Sequence, residues 1–328
     1  MKQENTLFVA YAADDHYAKY LGISMLSLLQ TNAAFDHIRV FILDCGIGQN
    51  NRKKLEKIAG EYSRELTFLP MDNVSDRLQL KNRVLGISIA SYARLFLASV
   101  LPEEVERIVY LDCDTLVQSS LGELWEIETG DALVAGVQDT VDTFFKKIIG
   151  LEMRIPYVNA GILLINLKGW RDEHLELKFF AFIQKFDGNV PHHDQGTING
   201  VCQARRYILP LRYNVMSNVY SFSARTIRKI YFLDQYYTQD ELDKALEKPA
   251  IIHFTAGLVG RPWEEGCTHP AKEDFLNILR QSPWKEDPLM PNSQKKSVKV
   301  FTFFYQHTPL RLFETGYRLF CWLLHVKR

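Results

Sequence analysis

Apolar and polar positions alternate in blocks along the first half of the chain. LFVAY (Leu7–Tyr11) is followed by a segment of helical period around Tyr17 to Leu29, then IRVFILD (Ile38–Asp44), a polar helical segment around Asn50 to Tyr62, and LTFLP (Leu66–Pro70). Short apolar runs separated by helix-length amphipathic stretches predict a parallel sheet covered by crossover helices, so the first 120 residues read as doubly wound α/β. The spacing predicts a further helix over Ser88–Val100, broken at Pro102. RIVYLDCDTLV (Arg107–Val117) comes next, and its unbroken apolar half predicts a central strand buried on both faces. ALVAGVQD and YVNAGILLINL read as two more strands, with a helix around Glu173 to Phe186 after them.

From about Pro283 the chain turns to proline, lysine and aromatics, which divides it into a catalytic domain, 1–282, and a C-terminal extension, 283–328. After Pro309 the extension is helical in pattern. At ~100° per residue Arg311, Glu314, Arg318 and His325 form a polar stripe, and Phe313, Tyr317, Phe320 and Leu324 an apolar face. Such a segment can lie in a bilayer interface, or pack on the domain or on a second copy. Lysine plus arginine balance aspartate plus glutamate at 39 each, which gives no sign of a nucleic-acid partner. The balance is uneven along the chain: residues 294–328 carry a net +6 and the remainder −6. Lys295, Lys296 and Lys299 favour anionic lipid as the partner of the tail. Five scattered cysteines without Cys-x-x-Cys spacing point to a reducing cytoplasm, and no stretch approaches the ~20 apolar residues of a membrane span.

The chemistry concentrates at the end of the central strand. On an extended chain Asp112 and Asp114 point to one side, and close like charges call for a compensating cation such as Mg²⁺ or Mn²⁺. In open α/β sheets the carboxyl ends of strands are where ligands bind, and the remaining coordination positions of such an ion suit a diphosphate. A turn cap beside a solvated aspartate explains the same spacing without a ligand. Ala12–His16 (AADDH) follows the first strand and either meets a base and ribose or caps the next helix. His192–Gly196 (HHDQG) gathers polar groups before a helix. His253 ends the run IIH and is either a third metal ligand or a structural histidine, with Gly257 and Arg261 nearby for a phosphate.

In order, AADDHY, SYARLFL, VYLDCDTLV, NAGILLINLKGW, DQGTIN, HFTAG and RPW resemble the family-8 retaining glycosyltransferases, in particular the bacterial lipopolysaccharide α-galactosyl- and α-glucosyltransferases. The resemblance implies the GT-A fold with a small helical C-terminal extension, a UDP-galactose or UDP-glucose donor and Mn²⁺, with Mg²⁺ as second choice. It implies Asp112, Asp114 and His253 as metal ligands, Asp14 with Ala12 at uracil, and Arg94 at the donor sugar or diphosphate. Asn159, Ala160 and Gly161 would line the sugar pocket. Asp194 would hold sugar hydroxyls and Gln195 would lie beneath the anomeric carbon.

The chain departs from the family at His16, where relatives carry an asparagine against the ribose, in the longer spacing of HFTAGLVGRPW, and at Arg261, which replaces a lysine. Gln195 is a weak nucleophile, so the expected course is front-face attack by the acceptor, with Asp139 orienting the acceptor or serving a plain turn. The acceptor implied is a lipopolysaccharide or lipooligosaccharide core or another cell-surface glycan, on the cytoplasmic face of the inner membrane. A non-catalytic sugar-nucleotide or glycan-binding protein is the alternative. A dehydrogenase is excluded because no glycine-rich turn follows the first strand.

Overall fold

The computed structural model describes residues 5–72, 74, 78 and 90–326. A seven-stranded sheet forms the centre, in the order β3-β2-β1-β4-β7-β6-β8. Its strands are β1 (Thr6–Ala13), β2 (His37–Asp44), β3 (Glu65–Pro70), β4 (Arg107–Leu111), β6 (Val134–Gln138), β7 (Val158–Asn166) and β8 (Arg206–Ile208). The short strands β5 (Thr115–Val117), β9 (Val215–Met216) and β10 (Ile251–His253) form a second sheet, in the order β5-β10-β9.

β1 to β4 are parallel, as the alternating pattern predicts. The apolar runs of β1, β2 and β4 are continuous because both faces are covered, whereas β3 lies at the edge and is only partly buried. Along β4, Val109 and Leu111 join one buried cluster, while Ile108 and Tyr110 join the cluster on the opposite face. β7 runs antiparallel to both β4 and β6, which the hydrophobic period does not encode. That reversal decides the site. The carboxyl ends of β1, β4 and β6 and the amino end of β7 meet at one edge of the sheet, with Asp112 N donating to Gly161 O at 2.7 Å.

The predicted central strand is interrupted. Asp112–Asp114 form a turn between β4 and β5, so strand alternation does not aim the carboxylates. The turn does, with Cys113 buried beneath and its thiol donating to Ala12 O at 3.2 Å. The helix expected from Ser88 is described from Ala90 to Val100 as two short α-turns around a 3₁₀ turn; Ser88 and Ile89 lie outside the described residues.

The change in composition at Pro283 does not coincide with a break in packing. Trp284 is buried, donates from Nε1 to Asn51 Oδ1 at 3.1 Å, and fills the space above Gly22 in the helix Ala18–Thr31. The helical hairpin begins at Lys296, with helices Lys296–His307 and Leu310–Val326. Phe313 is buried, and with Tyr317 it stacks on Phe222 at centroid distances of 6.3 and 5.8 Å. The face carrying Phe313 and Tyr317 therefore packs on the protein, while Phe303, Phe304, Leu312, Leu319, Trp322 and Leu323 are exposed. The side chains of Leu324 and His325, and residues Lys327 and Arg328, lie outside the described residues.

Candidate active site

Asp112, Asp114 and His253 each offer a ligand atom, and those atoms lie within 4.8 Å of one another. Strand register delivers the histidine. β10 pairs antiparallel with β5 so that His253 faces Thr115, and Phe254 N donates to Asp114 O at 2.9 Å. His253 Nε2 then stands 3.2 Å from Asp114 Oδ1 and 3.9 Å from Asp112 Oδ2. Its Nδ1 faces Asn214 Oδ1 at 3.1 Å.

Burial disfavours the charged histidine, yet the charge of Asp114, a hydrogen bond to it and the charge of Asp112 outweigh this and raise the His253 pKa. Burial also works against Asp114, but its charge and hydrogen-bond interactions with His253, together with Arg261, lower its pKa. The pocket therefore favours positive charge between the carboxylates. Two carboxylate oxygens and one imidazole nitrogen converging there, with the other imidazole nitrogen engaged elsewhere, suit a borderline-hard divalent cation. Gly161 forms the floor: a Cβ at this position would lie 2.8 Å from Asp112 Oδ2 and overlap the His253 ring.

A cavity of about 270 Å³ opens beside these residues, and Ala12, Asp14, Tyr17, Arg94, Asp112 and Asp114 contribute to its wall. A larger cleft of about 550 Å³, walled in part by Arg212, Lys248 and Asp274, contains none of the residues singled out by sequence. Asp14 Oδ1 accepts from Tyr17 N at 3.1 Å ahead of the helix Ala18–Thr31. Asp15 turns the other way and accepts from Gly48 N at 2.8 Å. His16 is exposed and stands outside the cavity wall, with its ring 5.7 Å from that of Tyr17. Gly257 and Arg261 line an adjoining cavity of about 490 Å³ that reaches Tyr317 of the hairpin.

Arg94, expected at the donor, is buried and turned onto protein partners. Nη2 is 2.8 Å from Asp112 Oδ1, Nε is 3.1 Å from Asp194 Oδ2 and 3.0 Å from Ser91 O, and Nη1 donates to Ala160 O. The guanidinium lies over the Tyr110 ring at 4.3 Å. Burial works against its charge, and the neighbouring carboxylates of Asp112 and Asp194 more than offset this, so its pKa is raised. Burial pushes Asp194 up to about 6, with Asp112 adding to the rise, although Arg94 opposes it.

Asp194 and Gln195 do not precede their helix; they lie in the first turn of His193–Cys202. The chain enters that helix through two left-handed residues, His192 (φ 58°) and His193 (φ 54°), a conformation that costs about 1–3 kcal/mol each. Asn199 clasps the helix to β7, accepting from Val158 N at 2.9 Å and donating to Val158 O at 2.8 Å. Gln195 Oε1 accordingly meets Ala160 N at 2.9 Å, and Asn159 Nδ2 meets Asp139 Oδ2 at 2.9 Å.

Tyr17, Ser91, Tyr110 and Asn214 were not expected. The first three sit inside or beside the quoted motifs, so their neighbourhood was a usable signal. Asn214 belongs to no motif and is joined to the site only by tertiary contact.

A mixed sheet whose strand ends present an Asp-x-Asp turn, a distant histidine and an adjoining cavity defines a glycosyltransferase of the GT-A architecture. The chain belongs to glycosyl transferase family 8, whose family model matches residues 8–267. It is 26% identical over 287 residues to General stress protein A of Bacillus subtilis, covering 87% of this chain and 96% of that protein. It is also 26% identical over 306 residues to the lipopolysaccharide 1,2-glucosyltransferase of Escherichia coli K12, covering 92% and 85%. The crystal structure of the galactosyltransferase LgtC with donor and acceptor sugar analogues superposes with a TM-score of 0.69 at 26% identity, covering 84% of this chain and 96% of that one.

Proposed function

We propose that the protein is a retaining hexosyltransferase that moves galactose or glucose from a UDP-sugar to a glycan of the lipopolysaccharide type. The observation that carries this reading is the convergence of Asp112, Asp114 and His253 within 4.8 Å beside the cavity that Asp14 helps to wall. Mn²⁺, with Mg²⁺ as second choice, would be held by those three side chains and would neutralise charge on the diphosphate as UDP departs.

The remaining work falls to the chain's own groups. Asp14 and Ala12 hold the base, with exposed His16 toward the ribose. Arg261 brings positive charge near Asp114 and, after His253, helps to lower its pKa. Arg94 braces Asp112 and Asp194 in fixed positions and keeps negative charge tolerable in a buried place. Asp194 and Gln195 face the sugar from the first turn of their helix, and Asn159, Ala160 and Gly161 form the pocket floor. An amide is a poor nucleophile, so the acceptor hydroxyl attacks on the face that UDP leaves, and a departing phosphate oxygen takes its proton.

The acceptor is a lipopolysaccharide core, lipooligosaccharide or similar cell-surface glycan, met on the cytoplasmic face of the inner membrane. The exposed Phe303, Phe304, Leu312, Leu319, Trp322 and Leu323 near Lys295, Lys296 and Lys299 support peripheral attachment through the hairpin. No helix among the described residues is long and apolar enough to cross a membrane.

The test is a panel of UDP-sugars offered with Mn²⁺ and without it. Metal-dependent release of UDP from one hexose donor is the expected result. Tight UDP-sugar binding without any turnover would instead favour a non-catalytic sugar-nucleotide-binding protein.

A further inference from the structure

We infer that Asp139 is a positioning residue: through one chain of polar side chains it sets both the face that His253 presents to the metal site and the orientation of the Gln195 amide. The inference rests on the metal-dependent reading above and goes beyond it. It links two features of the site that lie on different elements through one carboxylate.

The argument is one of donors and acceptors. Asn and Gln amides look alike from either side, so their orientation follows from neighbours whose polarity is beyond choice. Three such neighbours bound this chain. The N–H of Gly161 and the N–H of Ala160 can only donate, and an ionised Asp139 carboxylate can only accept. Asn159 Oδ1 takes the Gly161 N–H at 2.9 Å, which turns Asn159 Nδ2 onto Asp139 Oδ2 at 2.9 Å. Asn214 must then donate to Asn159 Oδ1, at 2.8 Å, and its own oxygen is left facing His253 Nδ1 at 3.1 Å. His253 therefore keeps a proton on Nδ1, and the proton that Nε2 shares with Asp114 is the one a cation would replace, leaving the Nδ1–H tautomer. That is the tautomer a metal ligand needs.

The other branch follows the same logic. Gln195 Nε2 donates to the same Asp139 oxygen at 2.9 Å, so Gln195 Oε1 accepts the Ala160 N–H at 2.9 Å. Asp139 Oδ1 is itself fixed by Thr140 N at 2.6 Å. Asn159 and Asn214 are buried, which leaves no bulk water to rescue a mismatched partner.

An amide at position 139 cannot satisfy this arrangement in either orientation. With its oxygen toward Asn159 and Gln195, its NH₂ meets the Thr140 N–H; turned over, its NH₂ meets two other NH₂ groups. Asp139→Asn keeps size and shape and changes only polarity.

The experiment is Mn²⁺ affinity by electron paramagnetic resonance on the full chain without donor, for wild type, Asp139→Asn, Asn214→Leu and the double variant. Metal-free melting serves as the folding control. Loss of an outer partner of a metal-bound histidine weakens binding roughly 10–100-fold, so each single variant should bind Mn²⁺ on the order of tenfold more weakly. The double variant should be no worse than the weaker single one, because both act along one chain. If Asn214→Leu does not fold, Asp139→Asn alone carries the test. Mn²⁺ affinity within twofold of wild type in Asp139→Asn overturns the inference and leaves the proposed function standing. A wild-type protein that binds no Mn²⁺ removes the metal reading, and this inference with it.

Discussion

Gly161 and His253 approach so closely that a methyl group on the glycine would occupy the space of the imidazole Cε1. The glycine, on β7, and the histidine, on β10, come from different sheets, so the contact joins the two sheets beside the Asp112–Asp114–His253 cluster. Gly161→Ala should force His253 and Asp112 apart, at an overpacking cost of about 1–3 kcal/mol. The expected outcome is a folded protein with Mn²⁺ affinity reduced at least tenfold by titration. Unaltered affinity would remove Gly161 from the account of the site.

Asp114→Asn leaves one carboxylate and an imidazole for the cation. A metal contribution of several kcal/mol corresponds to a loss of roughly a hundredfold or more in metal-dependent transfer. The circular dichroism spectrum should be unchanged, since Asp114 lies in a turn rather than within a strand. Near-normal turnover under saturating Mn²⁺ would contradict the assigned ligand.

Acid stability should respond to His269. This residue is buried against Tyr220 and Phe254, its Nδ1 accepts from Ala271 N at 3.1 Å, and burial pushes its pKa down to about 4. Between an unfolded value near 6.5 and the folded value near 4 the unfolded chain binds more protons. This contribution is therefore fully present above about pH 6.5 and is lost as pH falls through 4. Urea midpoints of wild type and His269→Gln compared from pH 7 to pH 4 should converge as the pH drops; a constant gap would show that His269 does not titrate on unfolding.

Trp284 ties the chain after Pro283 to the first helix. Its ring is buried against Gly22, hydrogen-bonds Asn51 and lies under Lys54 Nζ at 5.1 Å. Replacing a buried tryptophan by alanine typically costs about 3–5 kcal/mol. Trp284→Ala should therefore lower the melting temperature by several degrees, whereas Trp322→Ala, on the exposed face of the hairpin, should leave it nearly unchanged. Equal shifts would place both residues in the same packing unit.

The proposed membrane attachment should be separable from catalysis on the surface of the hairpin. Glutamines at Leu312, Leu319 and Trp322, all exposed, should abolish co-sedimentation with vesicles containing anionic lipid while UDP-sugar hydrolysis continues. Sedimentation equal to wild type would assign the exposed face to another partner.

Much of the site is written locally. The apolar run ending in Asp112 and Asp114, the first-strand sequence leading to Asp14, and IIH closing on His253 all place chemistry at strand ends that short-range pattern can reveal. Other features resist such reading. Phe313 and Tyr317 sit on the apolar face that the helical period predicts, but period cannot say whether a face meets protein or lipid. Arg94 is recognisable as a charged group in a motif, yet its burial against Asp112 and Asp194 depends on elements far apart in the chain.

The sequence by itself determined the alternation of strands and helices over the first 120 residues, the burial of β4 and the acidic pair at its end, because side-chain period and local spacing act over a few residues. Only the tertiary structure decided that β7 runs antiparallel beside β4 and that β10 carries His253 to Asp114. It also decided that Asn214 links His253 to Asn159. Those relationships are pairings between distant segments, chosen by the joint packing of two sheets and by the matching of buried donors with acceptors, and no short window of sequence contains them.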